Sequence, residues 1–237
     1  YGLPFDWTER WGLRRFGFHG LSVAHATERT REMMQRTPPR LVVCHLGSGC
    51  SVTAVKEARS IDTTMGYTPL EGLMMGTRSG SVDPGLLLHL QTRHGLGAAE
   101  LREALAERSG LLGVSGISGD LREVLAAADA GSVRAALAYE RFILYAKRAI
   151  GSMMGVLGGL DALVFTGGIG ENSPRVRRDL VSSLAFSGAH LDDDANQAAK
   201  PDADVARRDS AARILVVRAR EDLVILRETL RSSARLQ

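Results

Sequence analysis

The chain is poor in several things that functional classes depend on. It has two cysteines, Cys44 and Cys50, too few for a disulfide framework and without the CxxC spacing of a zinc site. Both lie in strand-like sequence and read as free, buried thiols. Aromatic residues make up 5% of the chain, and no basic run is interleaved with them. The net charge of +3 comes from arginines scattered among aspartates and glutamates. Nucleic-acid binding needs a clustered stripe, which this pattern does not supply. Lysine occurs only at Lys56, Lys147 and Lys200, a bias that reads as genomic more than chemical. No signal-like apolar segment is present, and no apolar run approaches the roughly 20 residues that cross a bilayer. The chain starts at Tyr1, not at methionine. It reads as a soluble, cytoplasmic protein, bound to neither membrane nor nucleic acid, and as part of a longer one.

What is present is a chain of 237 residues, 44% hydrophobic, enough to bury a proper core. Tyr1 to Trp11 is aromatic and irregular. His19 to Arg36 reads as a helix, stopped by Pro38-Pro39. Leu41–Leu46, Cys50–Val55 and Ser60–Thr64 read as three short strands in a meander, with Gly47-Ser48-Gly49 as the first turn. Helical patterns follow at Leu86–Arg93, Ala98–Arg108, Leu121–Ala130 and Ser132–Leu157. In the last of these, Val133, Leu137, Ile143, Leu144, Ile150, Met153 and Met154 give a broad apolar face. Leu163–Phe165 ends a strand. Asn172 or Ser173 can cap a helix starting at Pro174. Asp192-Asp193-Asp194 opens another helix, Ile214–Val217 is a last buried strand, and Glu221–Leu230 a last helix. This order predicts an α/β fold with a mixed sheet flanked by helices.

The richest stretch is Thr63–Gly85, TTMGYTPLEGLMMGTRSGSVDPG. It has neither helical nor strand period. A loop of that length inside a compact domain is usually functional. It is not polar like a mobile surface loop, because it carries Met65, Leu70, Leu73, Met74 and Met75. Arg78 within it offers a planar fork of donors suited to phosphate or carboxylate. Two further segments invite a ligand. The turn His45-Leu46-Gly47-Ser48-Gly49 exposes backbone N–H groups at a strand end, a concavity that suits anions or an ordinary hairpin. Gly167-Gly168-Ile169-Gly170-Glu171-Asn172 follows an apolar strand and precedes a capped helix, where a flat ring or phosphate can lie against the backbone.

The long loop, together with RRFGFHG at Arg14–Gly20 and FTGGIGENSP at Phe165–Pro174, resembles the acetate kinase (acetokinase) family. The resemblance runs from about Arg14 to Arg227 and covers only the C-terminal part of that family. It implies an actin-like, ribonuclease-H-like (ASKHA) domain spanning residues 1–237, with the family's N-terminal domain missing from this chain. It also implies reversible phosphorylation of acetate, or of a short-chain carboxylate such as propionate, by ATP with Mg2+, in a homodimer. The isolated chain is then expected to be incomplete for catalysis. A non-catalytic nucleotide-binding or dimerisation module stands as the alternative.

By the same resemblance, Arg78 and His19 stabilise the transferring phosphoryl group and Pro69 lines the acyl pocket. His45, Gly47, Ser48 and Gly49 contact nucleotide phosphates. Gly168, Ile169, Gly170 and Asn172 hold the adenosine, as do Asp120, Leu121 and Arg122. Glu221 helps to hold magnesium. Five positions depart from the family pattern. Ser48 replaces an asparagine, Val23 a histidine, Leu121 a phenylalanine, Arg218 a proline, and Arg220 an asparagine or aspartate. Taken without the resemblance, Asp120 is simply a helix cap, and Glu221 an acidic first-turn residue favoured by the helix dipole.

Overall fold

A computed structural model describes residues 1–234. The described chain forms two compact units. One comprises residues 1–18, 48–50 and 64–149; the other residues 19–47, 51–63 and 150 onward.

The second unit is built on a six-stranded mixed sheet. Its strands are β1 (Arg40–Leu46), β2 (Cys50–Lys56), β3 (Arg59–Thr63), β4 (Ala162–Thr166), β5 (Ala203–Asp204) and β6 (Arg213–Val216), in the order β3-β2-β1-β4-β6-β5. Strand β4 runs parallel to β1 and β6, whereas the edge pairs β2–β3 and β5–β6 are antiparallel. The central strands are uninterrupted apolar runs because both faces are covered. All five residues of β4 are buried. Helix α2 (Gly20–Met34) lays Val23 and Ala26 on Leu41, Val43, Val164 and Leu215. Each valine or leucine side chain so buried contributes about 1.5–3 kcal/mol. Arg40 ties the bottom of the sheet, donating to both carboxylate oxygens of Asp161 at 2.9 and 2.8 Å.

The remaining helices of this unit follow β4 and β6. They are α8 (Gly167–Asn172), α9 (Pro174–Val181), α10 (Asp193–Ala198) and α11 (Glu221–Ala234), with a 3-10 turn at Ser182–Ser187. Ser173 caps α9 through Val176 N–H, and Asp192 caps α10 through Ala195 N–H. The expected strands and caps are therefore present within a residue or two. The glycine run expected as a loop ahead of a helix is itself the short helix α8.

The first unit holds α1 (Phe5–Trp11), α3 (Pro84–His94), α4 (Ala98–Glu107), α5 (Gly110–Ser115) and α6 (Leu121–Asp129). Tyr1 to Trp11, expected to be irregular, contains α1. Its left-handed Gly12 closes the helix by an N–H bond to Thr8. Helix α7 (Val133–Leu157) is continuous, with residues to Ala149 in the first unit and from Ile150 in the second. Its buried face is Ala135, Ala138, Phe142, Ala146, Ile150 and Met153, at helical spacing. Val133, Leu137 and Leu144, expected on the apolar face, are exposed.

Among the described residues no helix is long and apolar enough to cross a membrane.

Candidate functional site

In the second unit, the expected residues gather at the C-terminal ends of the parallel strands β1 and β4. His45 ends β1 and is in register with Thr166, the last residue of β4. His19 caps α2 with a left-handed backbone (φ 60°), a conformation non-glycine residues rarely adopt and which accumulates at functional sites. That backbone stacks its ring on His45, with centroids 4.0 Å apart and planes 24° apart. Each imidazole is fixed through Nδ1 by a serine, His19 by Ser51 Oγ at 3.0 Å and His45 by Ser22 Oγ at 2.8 Å. Both serines are buried. Burial pushes the His45 pKa down, so this ring is neutral at pH 7. Ser22 and Ser51 had no role in the sequence reading, yet they orient the pair. Thr166 Oγ1, fully buried beside them, has no hydrogen-bond partner among the described residues.

Helix α8 starts directly after Thr166. Gly167 turns the chain with φ 78°, and a Cβ there would lie 2.8 Å from the Leu46 carbonyl oxygen. This glycine is required by geometry, although the sequence reading favoured its neighbours. Gly168 is exposed with nothing near its Cβ position, and Ile169 is half-exposed. Gly170 is buried, and Asn172 Nδ2 donates to the Gly168 carbonyl at 2.9 Å. Glu171 grips two backbone amides with one oxygen, Gly167 N–H at 3.1 Å and Ala219 N–H at 2.8 Å. The second bond ties α8 to the segment between β6 and α11, whose first residue is Glu221. Arg177, completely buried, donates to the carbonyls of Gly170, Glu171 and Asn196 and to Asn196 Oδ1 at 2.7–2.9 Å. Burial pushes its pKa down to about 10, still charged at pH 7. Its cation stands at the carbonyl end of α8, where the helix dipole favours it.

Glu221 makes no ion pair among the described residues, and its neighbour Arg220 is engaged by Asp222 at 2.8 Å. No cluster of three or more metal-ligating side chains occurs among the described residues. A single carboxylate completed by phosphate oxygens and water is nevertheless an ordinary magnesium arrangement, so Glu221 fits that role.

In the first unit, Thr64–Asp83 has no regular structure but is firmly held. Met65, Leu73, Met74 and Met75 are buried. Arg15, from RRFGFHG, donates to the Thr64 and Met65 carbonyls at 3.2 Å and pairs with Glu71 at 2.9 Å. Leu111 and Leu112 N–H bond the Met75 and Gly76 carbonyls at 2.8 and 2.9 Å. Gly80 adopts φ 71° where a Cβ would be 2.4 Å from the Leu73 carbonyl. Among the described residues half-buried Arg78 reaches only two acceptors, both at long range, the Pro69 carbonyl at 3.3 Å and Met75 Sδ at 3.8 Å. The two expected substrate residues thus touch, and the guanidinium has no carboxylate partner among the described residues.

Gly76 and Gly119 approach so closely that a Cβ on Gly76 would lie 2.9 Å from the Gly119 carbonyl. This brings Ser118-Gly119-Asp120 against the loop. Asp120 caps α6 by accepting from Arg122 N–H at 2.9 Å, and the Arg122 guanidinium lowers its pKa to about 2. Leu121 is buried at 4% exposure, so its side chain belongs to the core. The Arg122 side chain is 90% exposed. Ser48 is exposed in the turn between β1 and β2.

This arrangement has known counterparts. The chain is 50% identical over 225 residues to an acetate kinase of Acaryochloris marina, covering 95% of this chain and 56% of that protein. An acetate kinase of Gloeobacter violaceus is 49% identical over 230 residues, again covering 96% of this chain and 56% of the relative. The chain thus spans about half the length of the curated relatives it matches. Among solved structures, Porphyromonas gingivalis acetate kinase superposes with a TM-score of 0.94 at 38% identity, covering 97% of this chain and 58% of that one. A propionate kinase from Francisella tularensis gives 0.89 at 38% identity, covering 95% and 58%. The mixed sheet and its helices are therefore those of these kinases, the actin-like, ribonuclease-H-like fold expected from the sequence. The acetokinase family profile matches residues 1–227, so the glycine helix, the stacked histidines and the Arg78 loop all fall inside one continuous match, and the chain belongs to the acetokinase family.

Proposed function

We propose that this chain is the C-terminal, nucleotide-binding part of a cytoplasmic kinase that moves a phosphoryl group reversibly between ATP and acetate or a close short-chain homologue. The observation that carries this reading is Arg78. A half-buried guanidinium that has, among the described residues, only a carbonyl at 3.3 Å and a thioether at 3.8 Å for company calls for an anion. In the family loop that contains it, that anion is the reacting carboxylate and phosphoryl group. Its planar fork can hold oxygens of both while charge develops between them. Neutral His45 keeps His19 stacked and oriented, and His19 can donate a hydrogen bond to the transferring group. Exposed Gly168 and half-exposed Ile169 offer a surface for adenosine. Magnesium, held by Glu221 and the nucleotide phosphates, supplies charge neutralisation when bound. Exposed Leu137 and Leu144, one heptad apart on α7, support self-association.

Two measurements test this. Calorimetry on the chain at millimolar ligand should detect ADP, with binding lost in Gly168→Trp. Joined to the N-terminal part of an acetate kinase relative, the chain should form acetyl hydroxamate from ATP, acetate and hydroxylamine. A folded chain that binds no ADP overturns the nucleotide half of the reading. A joined protein whose turnover ignores Arg78→Ala overturns the acyl half.

A further inference from the structure

The second unit carries a cavity of about 370 Å³ bounded by α2, α11 and the Pro201–Asp202 segment. Four arginines line it, Arg29, Arg218, Arg220 and Arg227, against three carboxylates. Those carboxylates are already satisfied. Arg29 donates to Glu32 at 2.7 Å and also pairs with Asp202, while Arg31 pairs with Glu28 at 2.6 Å. Arg220 is held by Asp222. Arg218 and Arg227 differ from these. Arg218 contributes its backbone N–H to Asp202 Oδ1 at 2.9 Å, but neither guanidinium makes a hydrogen bond or ion pair among the described residues. Glu28 is held below the ordinary carboxylate pKa first by its hydrogen bond from Arg31 and, more weakly, by the charge of Arg227, so Arg227 is felt inside the cavity. Leu223 adds an apolar wall.

We propose that this cavity binds a small polyanion of the phosphate class, gripped by the guanidinium groups of Arg218 and Arg227. Two such forks beside one concave space present up to ten N–H donors. No carboxylate of the cavity is left to satisfy them. Phosphate oxygens match that fork geometry, whereas a monovalent carboxylate would neutralise only one of the two cations.

The test is a pyrophosphate titration of the 15N-labelled chain, following arginine Nε–H and backbone signals. Saturable shifts are expected at Arg218, Arg227 and His25. Losing one charge-assisted contact weakens binding about tenfold or more, so Arg218→Gln and Arg227→Gln should each do so. Arg227 is exposed on α11, so its variant should fold even if Arg218→Gln does not. Shifts confined to His19, His45 and Gly167–Asn172 would overturn the proposal. So would unchanged affinity in a folded Arg227→Gln variant. If ADP moves the Arg218 and Arg227 signals but pyrophosphate does not, the site reads a base, and the phosphate assignment fails.

Discussion

At the scale of single residues, stability and activity should separate most clearly at Arg78. Its guanidinium contacts are weak, so Arg78→Ala should leave the melting temperature almost unchanged. In the joined protein the same change should lower kcat by about two to three orders of magnitude, the usual cost of losing a donor aimed at developing charge. Arg78→Lys should recover little, since a point charge cannot hold two anions in one plane. Retention of most activity by lysine would reduce Arg78 to diffuse electrostatics. His45 makes the complementary case, because its effect is on stability and pH. Its folded pKa lies below the unfolded value, so the unfolded state takes up the proton first as pH falls. Its stabilising contribution is complete above about pH 6.5 and is lost progressively below that, as pH falls through the depressed folded pKa. Melting temperature against pH should therefore fall less steeply below pH 6.5 in His45→Gln than in the parent. Parallel curves would show that burial of His45 does not govern this range.

At the scale of elements, helix α8 is where sequence and structure part company. The strands were readable because a sheet covered on both faces demands apolar runs, which β1, β4 and β6 have, while β2 alternates through Ser51 and Thr53. Asp120 and Ser173 each announce a helix by cap chemistry alone, whereas the Asp83 cap ahead of Pro84 emerged only from the structure. Three glycines in six residues argue against a helix, yet Gly167–Asn172 forms one. What holds it is non-local: Glu171 binding Ala219 N–H, and Arg177 binding the last carbonyls together with Asn196. No local pattern carries that information, because Glu171 and Ala219 are 48 residues apart. The same holds for Arg15, whose loop contacts lie 49 and 50 residues away. Two predictions test this account of α8. Glu171→Ala leaves two amides without their acceptor and should cost about 1–3 kcal/mol, with Glu171→Gln costing less because its amide oxygen still accepts. Gly167→Ala forces a Cβ against the Leu46 carbonyl and should destabilise, whereas Gly168→Ala, in open space, should gain about 0.4–1 kcal/mol. Equal effects of the two alanines in chemical denaturation would refute the distinction.

At the scale of the whole molecule, α7 is the element that belongs to both units, with Phe142 fully buried in one and Ile150 in the other. A continuous helix of 25 residues carries one hydrogen-bond ladder through both cores, so the two cores are expected to melt together. Ligand linkage gives a way to see this. ADP at ten times its Kd stabilises the folded state by about 1.4 kcal/mol. For a chain of this size that raises the melting temperature by roughly 3–6 °C. Of the residues expected at the nucleotide, His45, Gly47 and Gly167–Asn172 lie in the second unit, and Ser48, Gly49 and Asp120–Arg122 in the first. Phe142→Ala removes a large side chain from the first unit and should cost about 3–5 kcal/mol. If melting is concerted, circular dichroism will show a single transition in both proteins, lower in Phe142→Ala, and ADP will raise it by a similar amount in each. If the units melt independently, the variant will show two transitions, of which the substitution lowers only one. The second pattern would mean that α7 joins the units in sequence without joining them in stability.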